Sequence, residues 1–255
     1  VFLETRGRGG FIRAKHIVGA DGANSLVRRI ANFTLPREAR LLMAYQIIAQ
    51  GSFEPHTVEV YLTHFAKDFF AWVIPENSKT ARIGIATNSN PKEAMKKFLI
   101  EKQLEIEQIK EFGGLIPIGP PLKSCVSGNA IIVGDAAFHT KSTSGGGIVT
   151  CATAARIAAK AIEENIRKAK SLSNYNKMLS PLYKELVLHW KIRKYLSSLS
   201  INKIDKLFEK AKKAKLDEFL SEYGDMDEPS RFLGKLMLKP SAWFLLPKLI
   251  KIIIG

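Results

Sequence analysis

Three consecutive glycines, Gly145-Gly146-Gly147, stand directly before a strong helical pattern. Ile148 to Lys168 contains neither Pro nor Gly, is rich in Ala and Ile, and would span about 31 Å at 1.5 Å per residue. Upstream, Ala130–Val133 reads as a short buried strand that ends in Gly134-Asp135-Ala136-Ala137. A strand, a small-residue turn, a glycine run and a long helix in this order constrain the fold strongly. Strand ends of this kind are where α/β proteins bind ligands. Gly134 allows a sharp turn, and Asp135 offers a carboxylate to a sugar hydroxyl. The glycines let a ligand approach the main chain, and the N–H groups that open the helix favour negative charge.

A second segment has the same logic. Ile12–Val18 reads as a strand, Gly19-Ala20-Asp21-Gly22-Ala23-Asn24-Ser25 as a turn, and Leu26–Ile30 as a short helix carrying Arg28 and Arg29. An Asp-Gly turn alone is usually only a turn, and Gly-Asp at a strand end is common. Their occurrence together, in this order, is the specific signal.

Between the two segments, Leu41–Gln50, Thr57–Thr63, Phe69–Ile74 and Ala81–Ala86 are β-rich runs separated by Gly, Pro and Asn. Pro91–Lys110 is predicted to be helical, with Ala94, Phe98 and Leu99 on its apolar side. Gly113–Pro121 reads as a connector. Tyr175–Ser198 and Lys203–Tyr223 read as helices rich in lysine.

These segments resemble the flavoproteins of the aromatic-hydroxylase type, and among them most closely the geranylgeranyl reductase family. The likeness covers residues 1 to about 165, and the tail more loosely. It implies an α/β (α+β) fold: a partial FAD/NAD(P)-binding Rossmann-like domain, an antiparallel substrate-binding sheet and a helical carboxyl-terminal tail. The expected parts are 1–40 with 113–168 for FAD, 41–112 for substrate, and 169–255 as the helical region. By resemblance, Asp21, Gly22 and Arg28 lie near the pyrophosphate. Gly134, Asp135 and Ala136 hold the ribityl chain, and Gly145, Gly146, Gly147 and Ile148 lie by the isoalloxazine. A reduced flavin is anionic around N1 and O2, which suits a helix N-terminus.

Phe70-Ala71-Trp72-Val73-Ile74-Pro75 matches the family's aromatic-Ala-Trp strand. It places Phe70, Trp72 and Pro75 on the wall of a cavity for the prenyl chain. The alternative is that these aromatics fill a sheet core. The implied reaction is reduction of carbon–carbon double bonds in geranylgeranyl chains of lipids or of prenyl diphosphates, with NAD(P)H or another reductant as electron donor. A flavin monooxygenase, or a non-catalytic part of a split flavoenzyme, shares the same segments. No residue stands out as a proton donor, and no metal site is expected.

Several positions depart from the family pattern. Phe138 and Ser142 stand where the family has Gly and Pro, and Lys67-Asp68-Phe69 replaces Pro-Gly-Gly. The strand–Gly-x-Gly-x-x-Gly–helix unit that binds the ADP half of FAD has no match in the chain. The expectation is therefore an amino-terminally incomplete protein that needs a preceding segment or a separate chain to supply that unit.

The net charge is +15. Cations exceed acids by 18 to 13 up to residue 150 and by 21 to 11 afterwards. A basic face attracts phosphorylated or membrane partners. The aromatics do not interleave with the cations as in a base-stacking surface, so nucleic acid is not expected. Phe232–Ile254 combines an apolar pattern with Lys235, Lys239, Lys248 and Lys251 and is broken by Pro240 and Pro247. Two readings stand: a helix lying in the headgroup plane, or a segment packed back as core. Cys125 and Cys151 read as buried small hydrophobes suited to a reducing cytoplasm, with peripheral membrane contact as the second location. His139 reads as a solvated loop residue.

Overall fold

The computed structural model describes residues 2–4, 11–245 and 247–248. In chain order the first strands are β1 (Phe2–Glu4), β2 (Phe11–Arg13) and β3 (Ile17–Gly19), followed by helix α1 (Leu26–Ile30). Strands β4 (Arg40–Gln50), β5 (Glu59–Tyr61), β6 (Ala71–Pro75) and β7 (Thr80–Thr87) lead to α2 (Pro91–Glu101) and β8 (Glu107–Ile118). Strands β9 (Val126–Ser127) and β10 (Ala130–Ile132) precede α3 (Ile148–Lys168). The remaining helices are α4 (Asn174–Met178), α5 (Ser180–Ser197), α6 (Ile201–Lys213), α7 (Leu216–Tyr223) and α8 (Ser230–Met237).

The chain divides into two compact units. The first takes the described residues of 1–40, 117–190 and 226–230. Its small sheet has the order β3-β10-β9. β3 and β10 are parallel, with Ile132 opposite Gly19, so both strands end at the same edge of the sheet. Helix α3 covers the unit with Ala154, Ala158 and Ala161, which recur on one helical face and are all buried. No Cβ fits at Gly19: it would lie 2.7 Å from Val27 Cβ, which is how closely α1 packs on β3.

The second unit takes the described residues of 41–116, 191–225 and 231–255. Its antiparallel sheet has the order β5-β6-β7-β4-β8. Alternate residues Tyr45, Ile47, Ala49, Ala71, Val73, Ala81, Ile83 and Ile85 point to one face, as period-2 patterning requires. There they meet Ala94, Met95 and Phe98 of α2. The Asn90 side chain caps α2 by accepting from the N–H groups of Lys92 and Glu93, and Pro91 occupies its first turn.

Four expectations need correction. The helix predicted over Pro91–Lys110 stops at Glu101, where Gln103 turns left-handed at φ 51°. Residues 107–118 instead form β8, pairing with β4 at the sheet edge and absorbing most of the predicted connector. The helix predicted over Lys203–Tyr223 is two helices broken at Lys215, also left-handed at φ 52°. Tyr175–Ser198 likewise divides into α4 and α5.

The described part of the tail packs back: Leu236 and Ala242 are buried with Leu216 and Phe219, flanked by Phe232, Leu233, Phe244 and Leu245. Leu238 and Trp243 remain exposed, at 83% and 55%. Residues 246 and 249–254 of the expected anchor lie outside the described residues. No described helix is long and apolar enough to cross a membrane.

Candidate cofactor cleft

The parallel register of β3 and β10 brings the two loops of interest to one place, since Val133 N–H donates to Gly19 O at 2.9 Å. In the first loop, Asp21 caps α1. Its carboxylate accepts from Leu26 N–H at 2.7 Å, from Val27 N–H at 3.1 Å and from the Ser25 hydroxyl. Burial pushes the Asp21 pKa up, but these hydrogen bonds outweigh it and hold the group below the ordinary carboxylate range. Arg28 is buried. Its guanidinium donates to Ala136 O at 2.8 Å and to Ala23 O at 2.7 Å, and lies 5.4 Å from the centre of the Phe138 ring. It therefore links the first loop to the second.

The second loop begins at Gly134, whose φ of +65° lies in the left-handed region. Asp135 accepts from the Thr140 hydroxyl at 2.9 Å. Lys141 N–H donates to Gly146 O at 2.9 Å, and Gly145 N–H donates to Lys141 O at 2.8 Å. Gly145 is also left-handed, at φ +71°. The Thr150 hydroxyl donates back to the His139 and Gly147 carbonyls. Helix α3 starts from Gly147 with no side-chain cap and no acidic residue in its first turn, and Ile148 is 90% exposed. Its opening N–H groups are left for a ligand or water.

These features surround a cleft of about 580 Å³. Gly22, Gly134, Asp135, Gly145, Gly147 and Ile148 line it, together with Cys151. Six of the ten residues read from the sequence as cofactor-facing are thus brought together. Asp21, Arg28, Ala136 and Gly146 are not part of this lining. Asp21 and Arg28 brace the loops that form it.

Two side chains differ from their sequence reading. His139 is fully buried, not solvated. Burial lowers its pKa to about 4, so the ring is neutral near pH 7. Its Nδ1 accepts from Gly134 N–H at 3.3 Å, and its Nε2 faces the Cys125 sulfur at 3.7 Å. Cys125, which contacts the Tyr183 hydroxyl at 2.9 Å, is buried as expected, with its pKa pushed up to about 12. Cys151 is only half-buried and faces the cleft; burial and the Asp135 charge raise its pKa to about 11.

Sequence reasoning missed further supports of the glycine loop. Lys141, nearly buried, pairs with Asp227 at 2.5 Å. His189 Nδ1 lies 2.6 Å from the Thr143 hydroxyl, and burial followed by the Lys141 charge lowers its pKa. These partners come from remote stretches with no local signature, so no sequence pattern marks them.

Within the second unit, Phe70 and Trp72 lie on the sheet face away from the α2-covered core, and both are partly exposed. Trp72 Nε1 donates to Gln46 Oε1 at 3.0 Å, and its indole covers Gly84. Phe70 stacks on Phe69 with centroids 4.1 Å apart, and the Arg193 guanidinium sits over both rings. Pro75 pairs with Ala81 at the end of β6.

Residues 1–111 match the FAD binding domain. That match contains the Asp21 loop and the sheet through β7, while the Gly134 loop follows it. A protein of Methanocaldococcus jannaschii is 28% identical over 236 residues, covering 89% of this chain and 61% of the relative. A digeranylgeranylglycerophospholipid reductase of Methanocella arvoryzae is 29% identical over 204 residues, covering 74% of this chain and 52% of the relative. The chain therefore spans between half and two thirds of the length of these relatives. In fold, it is similar to a geranylgeranyl bacteriochlorophyll reductase-like protein of Thermoplasma acidophilum, with a TM-score of 0.73. That likeness has 19% identity and covers 97% of this chain and 68% of the other. The resemblance to geranylgeranyl reductases thus holds in sequence, and the FAD-binding fold holds in structure.

Proposed function

We propose that this chain forms the flavin-facing part of an FAD-dependent oxidoreductase that reduces carbon–carbon double bonds of geranylgeranyl chains. The observation that carries this reading is the cleft at the uncapped start of α3. Its floor is glycine, so a planar ring can approach the main chain. A Cβ built on Gly147 would already lie 3.2 Å from Cys151 Sγ and 3.4 Å from Asp135 Oδ1. The residues present therefore fit a flavin.

Reduced FAD, when bound, supplies the electrons for the double bond, drawn in turn from NAD(P)H or another reductant. The chain's own residues supply binding and orientation. The N–H groups that open α3 would stabilise negative charge on the ring. Asp135, already oriented by Thr140, would accept from a ribityl hydroxyl. Neutral His139 holds Gly134 in its turn by accepting its N–H. Phe70 and Trp72 would offer an apolar wall to a prenyl chain, since both lie partly exposed outside the sheet core.

A prenyl lipid as substrate agrees with the names of the Methanocella relative and of others like it. Peripheral contact with a membrane is supported by exposed Leu238 and Trp243, close in sequence to Lys235 and Lys239. The test is anaerobic incubation of the chain, with the ADP-binding unit supplied in front of it, with FAD, a chemical reductant and a geranylgeranyl phospholipid, followed by mass spectrometry of the lipid. The expected product gains two hydrogens per double bond. An unchanged lipid, or under air one that gains oxygen, would argue for a different flavin chemistry.

A further inference from the structure

Lys203, Lys206, Lys210 and Lys248 line one small pocket of about 200 Å³ in the second unit. Its remaining walls are Tyr195, Leu199 and Leu207. The first three lysines recur at intervals of three and four on α6, so they share one helical face. Like charges at these spacings destabilise a helix, which makes their convergence costly without a counter-charge.

None of the four forms an ion pair with a carboxylate among the described residues. Lys248 donates to Phe244 O at 2.9 Å and lies 5.5 Å from the Phe244 ring, neither of which cancels its charge. Other lysines of the chain do find carboxylates, as in Lys170 with Glu164 and Lys215 with Glu218. Unpaired lysines are expected somewhere in a chain of +15, but four around one cavity are a concentrated field.

We propose that this pocket binds a phosphate or diphosphate group, carried either by a membrane lipid or by a soluble ester. Several ammonium groups can point-charge an anion that has no single required geometry. The volume is too small for a dinucleotide or a drug-sized ligand. Leu199, Leu207 and the Tyr195 ring leave an apolar side along which the carbon chain attached to such a group could leave. The site goes beyond the flavin reading and is measured without flavin.

The test uses inorganic pyrophosphate in calorimetric titrations of the whole chain. Its variant combines Lys203→Gln, Lys206→Gln and Lys210→Gln. A control variant removes the same charge elsewhere through Lys194→Gln, Lys212→Gln and Lys213→Gln. All six side chains are exposed, so both variants should keep the fold, checked by circular dichroism. Each pocket lysine should contribute roughly fivefold in affinity, the equivalent of ~1 kcal/mol. The pocket variant should therefore lose on the order of a hundredfold and the control only a few-fold. Equal weakening in both variants, or no pyrophosphate binding to the wild type, would overturn the proposal.

Co-sedimentation with phosphatidylcholine vesicles, with and without phosphatidylglycerol, separates the two sources. Lipid binding that pyrophosphate competes away, and that the pocket variant loses, supports a membrane phosphate. Pyrophosphate binding with vesicle binding unaffected by the pocket variant supports a soluble ester.

Discussion

The Arg28 guanidinium donates to the backbone carbonyl of Ala136 at 2.8 Å, across 108 residues of sequence. One side chain thereby fixes the Asp-Gly loop against the Gly-Asp loop, and its second donor closes on Ala23 O. Arg28→Ala would leave the Ala136 carbonyl buried without this partner. The expected loss is about 2–4 kcal/mol of unfolding free energy, since hydrogen bonds to charged groups and buried unsatisfied carbonyls are both costly. Arg28→Lys cannot fork to two carbonyls and should recover only part. Urea unfolding measures both, and a change within about 0.5 kcal/mol for Arg28→Ala would contradict the bracing role.

Asp21 yields a pH prediction of definite sign. Its folded pKa is depressed by its hydrogen bonds, with burial opposing them. A depressed carboxylate contributes stability that is present above its unfolded pKa and lost as pH falls through the folded one. Asp21→Ala should therefore cost ~1 kcal/mol near pH 7, a typical loss for a helix cap. The gap from wild type should close in strong acid. Urea midpoints at both pH values test this, and a gap that persists unchanged in acid would count against it.

His139 acts in a higher window. Its folded pKa of about 4 lies below the ordinary 6.5, so the unfolded chain takes up the proton first as pH falls. Stability contributed by the neutral ring is complete above pH 6.5 and is lost between there and about pH 4. The loss is about 3 kcal/mol at most. His139→Gln should be less stable at pH 7 and should lack this part of the pH dependence. A histidine resonance that titrates near 6.5 in the folded wild type and vanishes in the variant would refute a buried neutral ring.

The packing of Trp72 on Gly84 gives a fourth test. A Cβ at Gly84 would lie 2.0 Å from the indole, so Gly84→Ala must displace the ring from Gln46. The expected cost is about 1–3 kcal/mol, as for other overpacked sites. Indole fluorescence should shift as Trp72 is displaced. An unshifted spectrum with unchanged stability would show that the ring yields freely.

The cleft was legible because its parts are local. Gly134, Asp135 and Gly147 belong to a strand, a turn and a helix that follow one another closely, and each residue type has a backbone reason to be there. The parallel sheet that joins this loop to Asp21 followed from two similar segments, not from either alone. His139 was misread because its burial depends on Cys125 and Tyr183, which only the fold brings near. Residues 107–110 were misread as helix because the Lys/Glu-rich stretch after Leu99 continues without Gly or Pro, and pairing with β4 overrides that pattern. The break at Lys215 has neither Gly nor Pro to announce it. In the tail, Leu236 and Leu238 are nearly equivalent as letters, yet one is buried and the other 83% exposed.

Flavin affinity at Gly147 tests the central claim most directly. Gly147→Val adds a branched side chain to the lining of the cleft, beside Cys151 and Asp135, while leaving α3 its helix-forming sequence. Titration of FAD followed by flavin fluorescence, on wild type and variant with equal circular dichroism, gives the comparison. With the strand–Gly-x-Gly-x-x-Gly–helix unit supplied in front of the chain, the wild type should bind FAD and the variant should bind at least tenfold more weakly, ~1.4 kcal/mol. Equal affinity in the two proteins would place the flavin elsewhere and contradict the assignment of this cleft.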